Sequence, residues 1–259
     1  MYAASVLGTD ATEAVSRLTA AADGRVGTVR FETTDTDGGI TRARSDTEYV
    51  VDDGWHASGT GLSVAGALDR LAPDHEYAFV LGAPEARLPT VVVGDDRSDA
   101  LVSVPDVDAL DAEAVLGAIR ETDPYETLES LVAAVKRSDE ATYSGAIATF
   151  TGRVRAKEHE ADERTRYLEF EKYEGVAEER MRTIETELEE RNGVLDVRLH
   201  HRTGKIPDGE DIVFVVVLAG HRDEAFRTVE DGINRLKDEV PLFKKEVTDE
   251  ETFWVHQRE

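Results

Sequence analysis

Three of the seven lysines in this 259-residue chain lie within nine residues of one another near its C-terminal end. They are Lys237, Lys244 and Lys245, in the stretch RLKDEVPLFKKE at residues 235–246. The composition makes this grouping informative, because arginine outnumbers lysine by 23 to seven and acidic residues outnumber basic ones by 55 to 30. The scarce lysines gathered in one short stretch predict a positively charged site in an otherwise acidic protein.

Further cationic side chains lie at the predicted ends of other elements. Arg153 and Arg155 end the strand pattern TFTGRVR, and His221 and Arg222 open a helix pattern whose first N–H groups favour an anion. Element ends on a rigid scaffold are common places for sites. Each residue also has a structural alternative, since a lysine in a last helical turn can simply complement the helix dipole and a strand-end arginine can be solvated.

The spacing along the last predicted helix limits how these groups can act together. Residues 222 and 237 are fifteen apart in the sequence, which separates them by roughly 22 Å along a helix axis. A single small pocket in one chain cannot easily contain both. Either the chain has two pockets, or a symmetric dimer brings His221 and Arg222 of one copy towards Lys237 of the other, and we favour the dimer.

The elements that must position these residues form an α+β pattern over residues 122–259. Strand patterns occur in YSGAIATFTGRVR, RYLEFEKYE, VLDVRLHHRTG and EDIVFVVVLAG, the last two joined by a turn at Pro207-Asp208-Gly209. Helix patterns occur in GVAEERMRTIETELEERNG, closed by Gly193, and in HRDEAFRTVEDGINRLKDEV, stopped by Pro241. The loop AKEHEADERT is interpreted as a solvated charge run, and no metal site is predicted.

Residues 1–121 instead alternate short apolar strands with helix patterns, which predicts an α/β domain with a largely parallel sheet. The strand patterns are ASVLG, RVGTVRFE, YAFVLG and LPTVVVGD, with helices around Leu62–Leu71 and in DVDALDAEAVLGAIRE. Asp123-Pro124 is a predicted break, and we place the domain boundary near residue 121. VLGTDATEAVSRL has the strand-to-helix setting of a phosphate-binding loop, but Glu13, Ala14 and Val15 replace its Gly-Lys-Ser/Thr.

The net charge of −25 argues against nucleic acid as a partner. The even acidity, the few lysines and the absence of cysteine together suggest a cytoplasm with very high salt, which makes the chain halophilic. Without cysteine there is no disulfide, thiolate metal site or cysteine nucleophile. Neither a signal peptide nor a membrane span is predicted, so the expected location is the cytoplasm.

The collinear motifs TFTGRVR, AGHRDEAF, LKDEVPLFKKE and FWV over about residues 122–259 resemble the large subunit of molybdopterin synthase, the MoaE family. This resemblance implies a MoaE-like hammerhead fold and a sulfur-transferring enzyme of molybdenum cofactor synthesis. The implied substrate is cyclic pyranopterin monophosphate. The implied sulfur donor is a small ubiquitin-like subunit of the MoaD type, with a thiocarboxylate on its C-terminal Gly-Gly. The family is homodimeric with one small subunit at each end, a heterotetramer.

The resemblance also implies roles for individual residues. Lys237 and Lys244 fall on the family's two pocket lysines, and we predict that they are catalytic, as acid/base or oxyanion-stabilising groups. Arginine suits the substrate's phosphate because its planar fork binds two oxygens at once. The predicted substrate-binding residues are Arg153, Val154, Arg155, His221, Arg222, Lys237, Lys244, Lys245, Glu246 and Arg258. No cofactor is implied. One departure is Phe243, where the family often has tryptophan.

The first part of the chain resembles MobB, the P-loop adapter of molybdenum cofactor guanylation, over about residues 3–100 with eroded motifs. Our interpretation is a degenerate P-loop-like domain that no longer binds nucleotide. Two alternatives to the sulfur-transferring enzyme are a non-catalytic scaffold that binds a ubiquitin-like protein and a nucleotide-dependent molybdenum-cofactor adapter. The set of cationic residues favours the enzyme over the scaffold, and the missing P-loop lysine counts against the adapter.

Overall fold

A computed structural model describes residues 1–31, 47–51, 53–83, 86–173, 175–248 and 252–255 of the chain. The chain divides into two compact units, Met1–Tyr125 and Glu126–Glu259. The division lies four residues after the boundary predicted from the sequence. Over the described residues, no helix is long and apolar enough to cross a membrane.

The first unit is built on a five-stranded sheet in which all neighbouring strands are parallel. Its elements are β1 (Tyr2–Gly8), α1 (Ala11–Ala21), β2 (Val26–Arg30), β3 (Thr47–Val51), β4 (Trp55–Gly59), α2 (Val64–Leu71), β5 (Tyr77–Leu81), β6 (Thr90–Val93), β7 (Val102–Val104) and α3 (Ala112–Arg120). The strand order is β2-β5-β1-β6-β7, and β3 and β4 form a separate antiparallel hairpin. The predicted, mostly parallel α/β architecture of this part is confirmed.

Helices cover both faces of this sheet, which explains the apolar runs of its strands. Leu18 of α1 and Leu116 of α3 pack against one face, and Leu68 of α2 packs against the other. With both faces covered, β5 is buried over its whole length, as is typical of parallel sheets. The α3 helix begins at Ala112, within the predicted stretch, because the Asp111 side chain accepts a hydrogen bond from the Ala114 N–H at 3.1 Å and caps the helix.

The second unit contains two antiparallel sheets. Its elements are α4 (Leu128–Lys136), β8 (Ala146–Arg153), β9 (Thr165–Lys172), α5 (Val176–Glu189), β10 (Val194–His201), β11 (Gly204–Pro207), β12 (Asp211–Ala219), α6 (Arg222–Glu239), β13 (Leu242–Thr248) and β14 (Thr252–Val255). The strand orders are β10-β12-β8 and β11-β9-β13-β14. The predicted mixture of strands and helices in this part is confirmed.

The three-stranded sheet holds the main core of the second unit. The α5 and α6 helices pack on one of its faces, around Ile184, Leu188 and Leu236. The α4 helix packs on the other face through Leu131 and Val135. Covered on both faces, β12 forms a long run of buried apolar residues. The inward face of the four-stranded sheet forms a smaller core with Leu168, Phe170 and Ile206.

The connection from β10 to β12 differs from the expected direct turn. The chain first forms β11, which leaves the three-stranded sheet and pairs with β9. The Pro207-Asp208-Gly209 turn therefore joins β11 to β12. Because β11 belongs to the second sheet, this detour ties the two sheets of the unit together at the end of β8, where Asp211 pairs with Arg153.

Candidate active site

Arg153 and Val154 are fixed at the end of β8 by the turn that precedes β12. The Arg153 Nε lies 2.9 Å from Asp211 Oδ1, and the same guanidinium donates to the Gly209 carbonyl. The Val154 side chain is buried, its N–H donates to the Glu210 carbonyl at 2.9 Å, and its carbonyl accepts from the Gly209 N–H at 2.9 Å. Arg153 is thus engaged with the turn, and Val154 supplies backbone and packing.

Arg155 follows the last residue of β8 by two positions and extends into solvent. Its side chain is 73% exposed and lies 3.5 Å from Glu158, a surface ion pair that constrains it little. Of the two arginines, Arg155 is therefore the one whose guanidinium can turn towards an anionic ligand without giving up contacts to the turn before β12.

His221 and Arg222 form the N-terminal end of α6. His221 is the N-cap residue with extended backbone angles, and its side chain makes no capping hydrogen bond. Arg222 is exposed and lies 3.3 Å from Asp223. The first N–H groups of α6 and the Arg222 guanidinium favour an anion at this end, while Asp223 and Glu224 of the same turn oppose it.

Lys237 lies in the last turn of the same helix and is exposed. The side of α6 that faces α5 is held by ion pairs, which are Asp231–Arg191, Arg235–Glu187 and Glu239–Arg180. Lys237 follows Arg235 by two residues, about 200° of rotation around the helix. It therefore lies on the side of α6 away from α5.

Lys244 and Glu246 lie on the inward face of β13. Lys244 pairs with the buried Phe170 and Glu246 with the buried Leu168 of β9, and residues paired directly across a ladder share a face. The Lys244 Nζ lies 3.9 Å from Glu246 Oε2, and Glu246 also accepts a hydrogen bond from Thr165. The Lys244 side chain is only 35% exposed, so it is partly shielded from water.

Lys245 lies on the opposite face of the same strand. Its Nζ is 3.2 Å from Glu169 of β9, its partner in the ladder. The lysines at 244 and 245, adjacent in sequence, thus point to different sides of the sheet. Phe243 is on the Lys245 side and is half exposed.

One lysine near Lys244 was not identified from the sequence. Lys172 ends β9 opposite Leu242, so its side chain shares the inward face with that of Lys244. Its side chain is the more buried of the two and forms an ion pair with Glu178 of α5. The available signal was its place in RYLEFEKYE, where it continues the inward alternation of Leu168 and Phe170.

The register of the three-stranded sheet separates the predicted residues into two groups. Ala219 at the end of β12 pairs with Ala146 at the start of β8, and Asp211 pairs with Arg153 at the other end. His221 and Arg222 therefore lie near the start of β8, and Arg153 and Arg155 lie at its far end. The α6 helix starts at the first end, and its middle residue Gly232 packs over Val215, so Lys237 lies towards the second end.

Arg258, the last of the predicted residues, is outside the residues that the structure describes. A surface recess of about 320 Å³ along α5, from Glu179 to Glu187, contains none of the predicted residues. Over the described part of the chain, no group of His, Cys, Asp or Glu side chains is arranged to hold a metal ion.

Two buried titratable groups flank the core of this unit. Burial raises the pKa of Glu185 to about 7, against the opposing effect of the Leu199 N–H that it accepts at 2.6 Å. Burial lowers the pKa of His201 to about 4, and its ring packs edge-on against Phe170 with centroids 4.6 Å apart. Glu185 is therefore neutral below about pH 7 and His201 is neutral above about pH 4. Both side chains contribute to packing between elements.

Comparison with known proteins places the chain in a family. Residues 121–239 match the family model described as "MoaE protein". Over its full length the chain is 50% identical to a protein from Haloferax volcanii named "Probable molybdopterin synthase", all of which is covered. It is 34% identical over 128 residues to the "Molybdopterin synthase catalytic subunit" of Pyrococcus abyssi, covering 49% of this chain and 82% of the relative.

Among solved structures, the crystal structure of molybdopterin synthase from Staphylococcus aureus matches 44% of this chain and 82% of its own, with 34% identity and a TM-score of 0.42. The full-length relative and the family match over the second unit agree with the motifs found in the sequence. This chain therefore belongs to the MoaE family of molybdopterin synthases, the sulfur-transferring enzymes of molybdenum cofactor biosynthesis.

Proposed function

We propose that the chain is the catalytic subunit that converts cyclic pyranopterin monophosphate to molybdopterin. The two sulfurs come from a small ubiquitin-like subunit whose C-terminal Gly-Gly ends in a thiocarboxylate. The observation that supports this most is the half-buried Lys244 on the inward face of β13, while Arg155 and Lys237 lie towards the same end of the unit. These groups concentrate positive charge in a protein of net charge −25.

The residue types suit two anionic reactants. The substrate has a phosphate, and the thiocarboxylate brings a second negative charge, so an acidic protein needs local cations to offset the repulsion. Arg155 binds the phosphate, with Arg153 and Val154 fixing the strand end beside it. His221 and Arg222 at the N-terminal end of α6 bind the phosphate and pterin from the second copy of the homodimer proposed below. Glu246 and Arg258 complete the set of substrate-binding residues, and Lys245, on the opposite face of β13, supports them by holding the strand through Glu169.

Lys237 and Lys244 act at the reacting carbon as acid/base or oxyanion-stabilising groups. Lys244 suits proton transfer because its side chain lies on the inward face of β13 beside Phe170, partly shielded from water. Glu246 lies 3.9 Å from the ammonium group and directs it. Lys237 lies exposed in the last turn of α6, where its ammonium group can stabilise an oxyanion.

The assembly we propose is a homodimer of this chain with one small subunit at each end, a heterotetramer of the hammerhead type, acting in a salt-rich cytoplasm. The first unit is proposed as a degenerate MobB-like domain without nucleotide binding. In it α1 begins three residues after Gly8, and Ala14, at the position of the P-loop lysine, is buried. A short β1–α1 connection of this kind leaves little room for a phosphate-cradling loop.

The test is incubation of the full chain with cyclic pyranopterin monophosphate and a thiocarboxylated small subunit, with the dithiolene product measured. Wild type should form molybdopterin, and Lys244→Ala should lower the rate by about 10²-fold or more, as expected for loss of a proton-transfer group. Lys136→Ala, which removes an exposed lysine from α4, is the control and should keep the wild-type rate.

Two results would refute this proposal. The first is absence of product from the wild-type chain with a competent small subunit, which would favour the scaffold alternative if the two proteins still bound each other. The second is wild-type conversion by Lys244→Ala, which would remove this lysine from the chemistry.

A further inference from the structure

Lys172 and Lys244 lie on neighbouring rungs of one face of the four-stranded sheet. Lys172 ends β9 opposite Leu242, and Lys244 lies opposite Phe170, so the two lysines are diagonal neighbours on the inward face. Side chains in this relation start roughly 7 Å apart, within reach of long side chains. The chain has only seven lysines, so two of them on adjacent rungs of a shielded face require a physical explanation.

Each of the two lysines has a carboxylate of its own. Lys172 forms a direct ion pair with Glu178, which lies in the first turn of α5, and its side chain is only 14% exposed. The Nζ of Lys244 lies 3.9 Å from Glu246 Oε2, which is beyond hydrogen-bonding distance. Lys172 is therefore held closely, whereas Lys244 is held loosely and can be redirected.

The carboxylate of Glu178 lies on the same side of the sheet as Lys244. Because Lys172 points inward and contacts Glu178, the first turn of α5 passes over the inward face at the end of β9. Leu242, the partner of Lys172 in the ladder, packs against the core formed by α5 and α6. Lys244 is two residues further along β13 and has a flexible aliphatic stem, so its ammonium group can turn towards Glu178 if no other cation occupies this carboxylate.

Stabilisation of the fold is a weak reason for the ion pair between Lys172 and Glu178. Taking two charges out of water costs free energy that their attraction offsets only in part, and apolar side chains of similar volume are often at least as stabilising. Residue 172 continues the inward positions of Leu168 and Phe170, where an apolar side chain would be accommodated. A charge at residue 172 is therefore better explained by its effect on another charge.

We propose that Lys172 is a positioning residue, whose ammonium group occupies Glu178 so that Lys244 stays beside Glu246 and directed at the reactants. This inference rests on the proposed function and adds a residue to its site. Two effects act in the same direction. The ammonium group of Lys172 neutralises a carboxylate that would otherwise attract Lys244, and its own charge repels Lys244 from the start of α5. Lys172 itself does not contact the reactants.

The first experiment removes the charge at residue 172 and then the carboxylate that it occupies. Lys172→Met keeps a long apolar stem without the ammonium group, so Lys244 should turn towards Glu178. Molybdopterin formation in single turnovers should then fall by about tenfold, the order expected for coupling between neighbouring charges. Adding Glu178→Gln to this variant removes the competing carboxylate, and the double variant should recover most of the rate. A purely structural role predicts no recovery, because the second substitution restores no contact.

Further variants separate the charge of Lys172 from its place in the fold. Lys172→Arg retains a cation beside Glu178 and should keep most of the wild-type rate. Lys205→Met is the matched control and should keep the wild-type rate, because it removes an exposed lysine from the outward face of the same sheet. Unfolding followed by circular dichroism checks that each variant is folded in the assay. If Lys172→Met does not fold, Lys172→Gln takes its place with the same expected loss, since its amide can donate a hydrogen bond to Glu178 but brings no charge.

The second experiment observes Lys244 by nuclear magnetic resonance and does not depend on activity. Protein labelled with isotope-enriched lysine gives one side-chain signal for each of the seven lysines, and Lys244→Arg identifies the signal of Lys244. This signal should move in Lys172→Met and return towards its wild-type position in the double variant. The signal of Lys136, exposed on α4, is the internal control and should stay in place.

The outcomes separate this inference from the proposed function. A wild-type chain that makes no molybdopterin refutes the proposed function, while the Lys244 signal still reports on the role of Lys172. With an active wild type, an unchanged rate in Lys172→Met overturns the inference. Equal losses in the single and double variants also overturn it, since Lys172 would then act on the reactants or on the fold itself. A Lys244 signal that does not move in Lys172→Met has the same consequence.

Discussion

The two units use similar scaffold positions with opposite charge. In the first unit, β1 ends in Gly8, and its neighbours β5 and β6 are directly followed by Gly82 and Gly94; all three glycines have positive φ. The carboxyl ends of parallel strands are the usual ligand edge of an α/β sheet, but here Asp95 and Asp96 follow Gly94 directly. In the second unit, arginine, histidine and lysine occupy the element ends. A suitable backbone position therefore does not define a site for an anion; the charge placed there does.

The composition of the two units shows the same difference. Residues 1–125 contain 23 acidic residues and nine arginines but no lysine, whereas residues 126–259 contain 32 acidic residues, 14 arginines and all seven lysines. Acidity is common to both units, and lysine is confined to one. We interpret the shared acidity as an adaptation to a salt-rich solvent and assign the clustered lysines to the proposed chemistry.

The largest expected effect is that of Gly8→Ala on the first unit. Gly8 has a φ of +113°, and a Cβ there would lie 1.8 Å from the Val93 carbonyl oxygen. Strain and overlap together should lower the free energy of unfolding of this unit by roughly 3 kcal/mol or more. Denaturant unfolding followed by circular dichroism measures this. Gly61→Ala is the control, because its Cβ would meet nothing within 4 Å and only the positive φ is strained.

The same variant sharpens the comparison of the units. If only the second unit performs sulfur transfer, Gly8→Ala should retain molybdopterin formation under conditions where the first unit is unfolded. Loss of the reaction with a still-folded second unit would show that the first unit contributes to the site and that the contrast drawn above is wrong.

The second prediction concerns Glu185→Gln in the second unit. The pKa of Glu185 is raised from 4.5 to about 7 in the folded chain, so the folded state keeps a proton that the unfolded state releases. Stability therefore falls as the pH rises from about 4.5 to 7, by roughly 3 kcal/mol. Glutamine still accepts the Leu199 N–H and has no charge to bury. The variant should be more stable than wild type at pH 8 by this order and equal to it at pH 4.

Thermal or denaturant unfolding at a series of pH values measures this difference. Glu190→Gln, exposed at the end of α5, should follow the wild-type profile. His201 has the opposite sign, since its pKa is lowered to about 4 and its contribution is lost as the pH falls from about 6.5 to 4. The two effects offset each other in wild type, so the Glu185 effect shows only in the difference between the variant and wild type.

A third prediction tests the acidity that the units share. Raising the salt from 0.1 to 2 M shortens the Debye length from about 10 Å to less than 3 Å, which should stabilise both units by on the order of 2 kcal/mol. Denaturant unfolding in potassium chloride measures this, with sucrose of equal osmolality as the control. A free energy of unfolding independent of salt would contradict the halophilic interpretation.

The smallest expected effect is that of magnesium–GTP on the full chain. With Glu13, Ala14 and Val15 in place of Gly-Lys-Ser/Thr and α1 starting at Ala11, calorimetric titration should show no saturable heat. Saturable binding would show that the first unit is a working nucleotide domain and would remove the main functional contrast between the units.

The sequence predicted the elements whose patterns are local. The α6 helix was predicted from its apolar periodicity and from Pro241, and the structure ends it at Glu239. The strands β8, β9, β10 and β12 were predicted from apolar alternation or runs. By contrast, β13 was not predicted, because LFKKEVT has three charges in its middle and no alternation. Its extended form arises from pairing with β9, a tertiary contact between residues distant in sequence.

The same reason limits what could be predicted of the site. The sequence alone showed four basic side chains at the ends of predicted elements: Arg155, His221, Arg222 and Lys237. That Lys244 points inward and Lys245 outward was not, because it depends on the register of β13 against β9. The ion pair of Lys172 with Glu178 could not be predicted from the sequence either, because it joins the end of β9 to α5 and depends on the turn between them.

Because side chains alternate between the two faces of β13, the site requires one register of this strand against β9. A slip of one residue against β9 would turn every side chain of the strand over, exchanging the ammonium group of 244 for that of 245 and replacing Glu246 with an aliphatic neighbour. The chain would still fold, and a lysine would still lie on the inward face of β13. Its ammonium group would be displaced, however, and no carboxylate would lie beside it to orient it. The contacts of Lys245 with Glu169 on one face and of Glu246 with Thr165 on the other stabilise the correct register of β13 against β9. Mutations of Glu169 or Thr165, which belong to these contacts but not to the substrate-binding set, would thus impair the enzyme without touching either reactant.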